Sequence, residues 1–353
     1  MAKRARINEP DESDRIEGFP HPRESALLVG QDLALSRAAR AIRGGKLPQG
    51  WLISGPPGIG KATLAYRIAR YLLSYGARDT GPEDLSVPAN NPDVLQLVAG
   101  SHPGLLVLRR RINEKTGKLM SELPVDEVRR LTGFFGMTSG AGGWRVAIVD
   151  TADDMNANAA NALLKLLEEP PSRAVLILLA NRPGQLLPTI RSRCQRLDLR
   201  PLDDALVAGA LKTYLPDADA AERQSLARLS GGSIGAALNL ASGEGRELAA
   251  EADRLIENAA MPDTLALLAL GDRLWRMKDG LSRFGDFLIE ALGARIRAKA
   301  RTPGANLERW TVLLARLDSA FARAQGLNLE PRQTILSAAR ELAGTARRAG
   351  PLT

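Results

Sequence analysis

Trp51-Leu52-Ile53-Ser54-Gly55-Pro56-Pro57-Gly58-Ile59-Gly60-Lys61-Ala62-Thr63 decides the fold. The short apolar run Trp51 to Ile53 reads as a buried strand, and Lys61 to Leu73 reads as a helix. Between them Gly55 to Lys61 fits G-x-x-x-x-G-K, in the strand–turn–helix setting that this phosphate-loop motif demands. Glycines at 55, 58 and 60 let the backbone curl so that N–H groups face one concavity. The helix N-terminus adds partial positive charge and Lys61 a full one, so a polyphosphate fits. The bland alternative is an accidental Gly-rich turn between strand and helix.

The motif is incomplete. The residue after the lysine is ordinarily Ser or Thr, whose hydroxyl holds Mg²⁺; here it is Ala62. Thr63 follows, but one step along a helix turns a side chain by ~100°, so it points elsewhere. Val146-Ala147-Ile148-Val149 is a second apolar strand, ending in Asp150. Asp150 either helps position a metal's water shell or caps the following turn. ATP-hydrolysing proteins with such a strand place a Glu next, to polarise the attacking water; this chain has Thr151, with Asp153 and Asp154 displaced along the chain. A general base must lie within hydrogen-bond reach of that water. Gly55, Gly58, Gly60, Lys61, Ala62, Thr63 and Asp150 therefore read as a degenerate nucleotide site that holds ATP or ADP weakly, or not at all.

Working outward, Gln31 to Arg43 has helical spacing stopped by Gly44-Gly45, and residues 75–104 read as a long loop or insertion rich in Gly, Pro, Asn and Asp. Leu105 to Leu108 is a strand and Val125 to Phe135 a helix. Asn156 to Glu169 is a helix stopped by Pro170-Pro171. Ala174 to Ala180 and Gln195 to Leu199 are strands. Alternating strands and helices predict an α/β domain with a mainly parallel sheet. Beyond Pro201 only helical periodicity recurs, broken near Gly231-Gly232, Pro262, Thr302-Pro303-Gly304 and Pro331.

After the strand Ala174 to Ala180 come Asn181-Arg182-Pro183 and Leu187-Pro188-Thr189-Ile190-Arg191-Ser192-Arg193-Cys194. With Gly55–Thr63, Val146–Asp150 and Asn158-Ala159-Ala160-Asn161-Ala162-Leu163-Leu164-Lys165-Leu166-Leu167-Glu168-Glu169-Pro170-Pro171, these stretches resemble the clamp-loader branch of the AAA+ proteins. Within that branch they resemble the delta-prime family of bacterial DNA polymerase III subunits. The resemblance covers most of residues 27–200; the helical C-terminal third agrees only in character.

The resemblance implies a polar tail (1–22), an AAA+ P-loop α/β domain with a parallel sheet (23–200), a small helical lid domain (201–245) and an all-α collar domain for oligomerisation (246–353). It also implies membership of a hetero-pentameric ring with gamma/tau ATPase subunits and a delta subunit, which opens a sliding clamp and places it on primer-template DNA. Arg193 matches the family's arginine finger, which enters a neighbour's ATP site; read without the family, it is a surface cation ahead of an edge strand. A permanently charged, planar guanidinium suits that task. Arg191 reads as a solvated arginine or a DNA contact, and Cys194 as a small buried filler. Asn181 stands where the family's first sensor residue sits, or is a turn cap. Gly235, in Gly232-Ser233-Ile234-Gly235-Ala236-Ala237-Leu238, stands where hydrolysing members carry a second-sensor arginine. Ala62, Thr151 and Gly235 thus remove three parts needed for hydrolysis in cis, while Arg193 keeps the part that acts in trans. The expected role is a non-hydrolysing, stator-like subunit, with an active gamma/tau-like ATPase or a basic DNA-binding adaptor as the alternatives.

Composition agrees with that class. The 353 residues suggest two or three domains at about 150 residues each. Hydrophobic residues are 44% and charged residues 25%, ordinary for a globular chain and against disorder. Aromatics are 4%, so aliphatic side chains must dominate the cores. A net charge of +8 suits a polyanion such as nucleic acid, or merely solubility. The single cysteine permits no intramolecular disulfide, and two histidines far apart give no zinc site; the 75–104 segment has none of the cysteines that carry zinc in many relatives. No run approaches the ~20 apolar residues of a membrane span, so a cytoplasmic protein without zinc or membrane contact is expected. Trp275, Phe284, Phe287, Trp310 and Phe321 fall at helical spacing and are expected in the core.

Overall fold

Apolar side chains in the strands alternate between two cores, which is what burial of both faces of a sheet requires. Trp51, Ile53, Val146, Ile148, Val175, Ile177 and Leu179 enter one core. Leu52, Ala147, Val149, Leu176, Leu178 and Ala180 enter the other. The computed structural model describes residues 15–16, 18–45, 47–77, 80–110, 120, 122–136, 143–277, 280–300, 307–327, 329–350 and 352. Most of the expected polar tail (1–14) and the expected break at Thr302-Pro303-Gly304 lie outside these residues.

In chain order the first elements are α1 (Asp32–Arg43), β1 (Gly50–Ser54), α2 (Lys61–Tyr75), α3 (Pro92–Val98), β2 (Leu105–Leu108), α4 (Val125–Gly136), β3 (Arg145–Val149), α5 (Ala157–Glu168), β4 (Ala174–Ala180), α6 (Pro188–Arg193), β5 (Gln195–Asp198) and α7 (Asp204–Tyr214). The five strands form one sheet in the order β2-β3-β4-β1-β5. All pairs are parallel, with Trp51 beside Ile177 and Gln195, and Ile148 beside Val107 and Ile177. Ala38 and Ile42 of α1 and Leu64 and Ile68 of α2 cover one face. Leu131 of α4, Leu163 of α5 and Ile190 of α6 cover the other. This is the α/β class with the parallel sheet expected from the sequence.

Two details differ from the sequence reading. The stretch taken as an open loop contains α3, which starts on Pro92 and is capped by Asn91 Oδ1 accepting the Asp93 N–H at 2.8 Å. Residues 18–22, read as tail, are packed in place: His21 is fully buried, edge-on to Tyr66 at 5.9 Å. The buried Arg70 of α2 donates to the carbonyls of Arg23 and Ser25 at 2.9 and 2.8 Å, which holds the segment that follows.

The chain falls into two compact units, Met1–Tyr214 with Gly232–Gly235, and Leu215–Gly231 with Ala236–Thr353. The helices after α7 are α8 (Ala220–Leu229), α9 (Ile234–Ala241), α10 (Gly243–Glu257), α11 (Thr264–Arg276), α12 (Gly280–Lys299), α13 (Glu308–Gly326) and α14 (Pro331–Ala349). The second unit's core is largely aliphatic, with Trp310 buried and Phe284 edge-on to Phe321 at 6.3 Å. Phe287 packs against it half-buried. Trp275 departs from expectation, with 58% of its surface exposed on α11. Arginines on the outside of this unit pair with acids, as in Arg295 to Asp253 at 2.7 Å and Arg283 to Glu244 at 2.8 Å. No helix among the described residues is long and apolar enough to cross a membrane.

Candidate functional site

Strand β1 delivers the chain to the phosphate loop, and α2 leaves it. Gly55, Gly58 and Gly60 all have positive φ, at 146°, 72° and 103°, a region L side chains enter only with strain. At Gly55 a Cβ would also lie 2.7 Å from the Leu199 carbonyl oxygen. The loop has the curl that the sequence motif predicts.

Its carbonyls are hydrogen-bonded within the chain. Lys61 is 9% exposed and turns back on the loop, donating from Nζ to the carbonyls of Gly55 and Pro56, both at 2.7 Å. Ser233 Oγ donates to the Pro57 carbonyl at 3.0 Å, and the Gly235 N–H to that of Gly58 at 2.9 Å. Gln31 Nε2 donates to the Ile59 carbonyl at 3.3 Å and to that of Arg200 at 2.9 Å. The Leu64 N–H closes the first turn of α2 on Gly60 at 3.0 Å. Every carbonyl from Gly55 through Gly60 therefore accepts a hydrogen bond from this chain itself. Pro56 and Pro57 have no N–H to give a phosphate, and the Gly55 N–H is taken by the Ala180 carbonyl at 3.2 Å.

Burial pushes the Lys61 ammonium down to about 8, against the pull of the Asp150 and Asp153 carboxylates. Two of the three N–H donors of Lys61 are spent on the loop. Ala62 turns its methyl toward the core beside α2, and Thr63 follows it half-buried.

Asp150 ends β3 beside this loop. Thr151 then takes a left-handed backbone (φ 53°) and donates from its own hydroxyl to the Asp150 carbonyl at 2.7 Å. The two nearby acids are committed elsewhere. Asp153 accepts the backbone N–H groups of Asn181, at 3.1 Å, and Arg182, at 2.8 Å, just past β4. Asp154 pairs with Arg110 at 3.3 Å, and burial raises its carboxyl above the ordinary range. Neither is placed as a free base over the loop. Asn181 is thus brought to the site by its backbone.

Gly235 has no room for a side chain, because a Cβ there would lie 2.7 Å from Gly58 Cα and 3.3 Å from Gly58 O. The Asp153 clamp, the Gln31 bridge and the Ser233 contact were not foreseen. Ser233 lies inside a quoted motif and Gln31 and Asp153 outside one, but in all three only the partner in the fold reveals the contact.

Arg193 lies elsewhere. It ends α6, and its carbonyl sits next to Gly50 at the start of β1. Gly55 is five residues on, so the phosphate loop is roughly 16 Å away along the strand. The Arg193 side chain is 38% exposed; Nη2 meets Glu168 Oε1 at 2.8 Å, and Nη1 donates to the Thr189 carbonyl at 3.1 Å. Cys194, next along, is buried, and burial pushes its thiol up to about 12. Arg191 is half-buried, with its Nε enclosed and unpaired. Among the described residues no cluster of three or more His, Cys, Asp or Glu is placed to hold a metal ion.

Comparison with known proteins agrees with the motifs. The family model described as "DNA polymerase III, delta subunit" matches residues 30–203. The delta' subunit of DNA polymerase III from Pseudomonas aeruginosa is 40% identical over 185 residues, 52% of this chain and 52% of that protein. The delta' subunit from Escherichia coli is 34% identical over 193 residues, covering 55% and 54%. The chain thus spans about half the length of the curated relatives it matches. Among solved structures, a DNA polymerase III gamma subunit-related protein from Thermotoga maritima aligns with a TM-score of 0.39 and 20% identity, over 88% of this chain and 99% of that one.

Proposed function

We propose that this chain, whose residues 30–203 match the DNA polymerase III delta-subunit family and resemble its delta' members, is a non-hydrolysing subunit of a bacterial clamp loader. In this reading it sits in a cytoplasmic hetero-pentameric ring with gamma/tau ATPase subunits and a delta subunit. The ring places a sliding clamp on primer-template DNA during replication. Arg193 completes a neighbour's ATP site, and the chain's own pocket holds nucleotide weakly or not at all.

The observation that carries this reading is the separation of Arg193 from its own phosphate loop, by about the length of β1. An arginine side chain cannot bridge that span, so a role for Arg193 at a phosphate would have to be at another molecule's site. The residues around the phosphate loop support the same reading. Phosphoryl transfer relies on positioning and charge neutralisation, and here the lysine is folded onto carbonyls, the metal hydroxyl is absent and both nearby acids are engaged.

The test is a ring reconstituted with gamma/tau, delta and the clamp. Arg193→Ala is expected to leave assembly intact and lower DNA-stimulated ATP hydrolysis by at least the share of the one site it completes. An unchanged rate refutes the role in trans. Hydrolysis by the purified chain alone, abolished by Lys61→Ala, refutes the non-hydrolysing assignment.

A further inference from the structure

We propose that Glu168 is a positioning residue for Arg193, setting the direction in which the guanidinium leaves the surface; this deepens, and rests on, the role of Arg193 in trans. The two residues end successive helices on the same sheet face, Glu168 closing α5 and Arg193 closing α6. Their ion pair is 2.8 Å long, and the Thr189 carbonyl holds the other terminal nitrogen at 3.1 Å. Two acceptors on two terminal nitrogens fix the plane of the fork. A guanidinium has five N–H donors, so three remain for phosphate oxygens.

Both partners are substantially exposed, at 38% and 50% of their side chains. An exposed pair of this kind is weak, too weak to imprison the arginine against a polyphosphate. It is enough to bias the rotamers of a long, flexible side chain, whose ordering would otherwise be charged to insertion. Glu168 therefore aligns the finger rather than locking it away.

The experiment uses the reconstituted ring with DNA and clamp, measuring kcat and KM for ATP with Glu168→Ala, Glu168→Gln, Arg193→Ala and the Glu168→Ala/Arg193→Ala double variant. Glu168→Ala is expected to lower the kcat of the completed site two- to fivefold with KM unchanged, corresponding to the ~1 kcal/mol ceiling of an exposed pair. Glu168→Gln, which keeps an acceptor oxygen, should fall between it and wild type. In the Arg193→Ala background Glu168→Ala should change nothing further, because its effect passes through the arginine. A faster ring with Glu168→Ala would make the glutamate a restraint and overturn the proposal. So would an unchanged rate, or an equal loss in the Arg193→Ala background, which marks a structural role. Arg193→Ala without effect brings down the role in trans itself, whereas Arg193→Ala with an effect and Glu168→Ala without one refutes this inference alone.

Discussion

Gly235→Ala tests how closely residues 232–235 pack against the phosphate loop. The added methyl would lie 2.7 Å from Gly58 Cα and 3.3 Å from Gly58 O, both backbone atoms that cannot rotate aside. Gly235 has no positive φ, so alanine meets no backbone strain of its own and the contact is isolated. Overpacking of this kind costs about 1–3 kcal/mol. Pushing the segments apart also lengthens the 2.9 Å bond from the Gly235 N–H to the Gly58 carbonyl, worth about 0.5–1.5 kcal/mol. The expected loss is about 2–4 kcal/mol from the α/β unit. In urea, with a slope of about 2 kcal/mol/M, that moves the midpoint down by about 1–2 M. Gly133→Ala is the control within the same unit. It lies inside α4 with nothing within 4 Å of a built Cβ, so alanine there should add about 0.4–1 kcal/mol. Circular dichroism followed through a urea titration reads both. If Gly235→Ala unfolds at the wild-type midpoint while Gly133→Ala shifts upward, the close approach does not exist and the packing argument fails.

Two further outcomes follow from buried titratable groups. The unfolded chain keeps the Lys61 proton to about 10.5 and the folded chain loses it near 8. Between those values unfolding takes up a proton, so this residue makes stability rise with pH. The difference in unfolding free energy between wild type and Lys61→Met should change in that direction from pH 8 to 10; a flat difference denies the burial of the ammonium. Cys194 works oppositely above pH 9, since its thiol moves from 9.0 to about 12, and the subtraction removes it because both proteins keep it. That shift of three units also leaves about a thousandfold less thiolate at pH 8 than a free cysteine has. Alkylation of the folded protein should be at least about tenfold slower than of the urea-unfolded protein, because a higher-pKa thiolate is more nucleophilic and offsets part of that loss; similar rates would place the thiol at the surface.

The parts of this fold legible in the sequence were those where one physical rule dominates. All-apolar runs such as Ala174 to Ala180 read as strands because a parallel sheet buries both faces. Helix stops at Gly44-Gly45 and Pro170-Pro171 read correctly because backbone conformation alone enforces them. Helix α3 was hidden because its seven residues sit in a Pro- and Asn-rich stretch, where Asn91 and Pro92 act as cap and first turn rather than as loop signals. Trp275 was misplaced because helical spacing says which residues share a face without saying whether anything covers it. At the site, the absent hydroxyl at Ala62 and the absent side chain at Gly235 were visible as single letters. The destination of Lys61 was not, because its hydrogen bonds depend on the carbonyl directions of a folded turn. Likewise Glu168 was quoted only as part of a motif, and its pairing with Arg193 appears when α5 and α6 end side by side.

The six occupied carbonyls from Gly55 to Gly60 tie the turn to segments remote along the chain. Donors arrive from Gln31, from Lys61 and Leu64, and from Ser233 and Gly235, three segments distant in sequence. Residues 30–35, 55–64 and 232–235 are thereby stitched into one patch, so a substitution in any of these three segments is felt by the turn that the other two hold in shape.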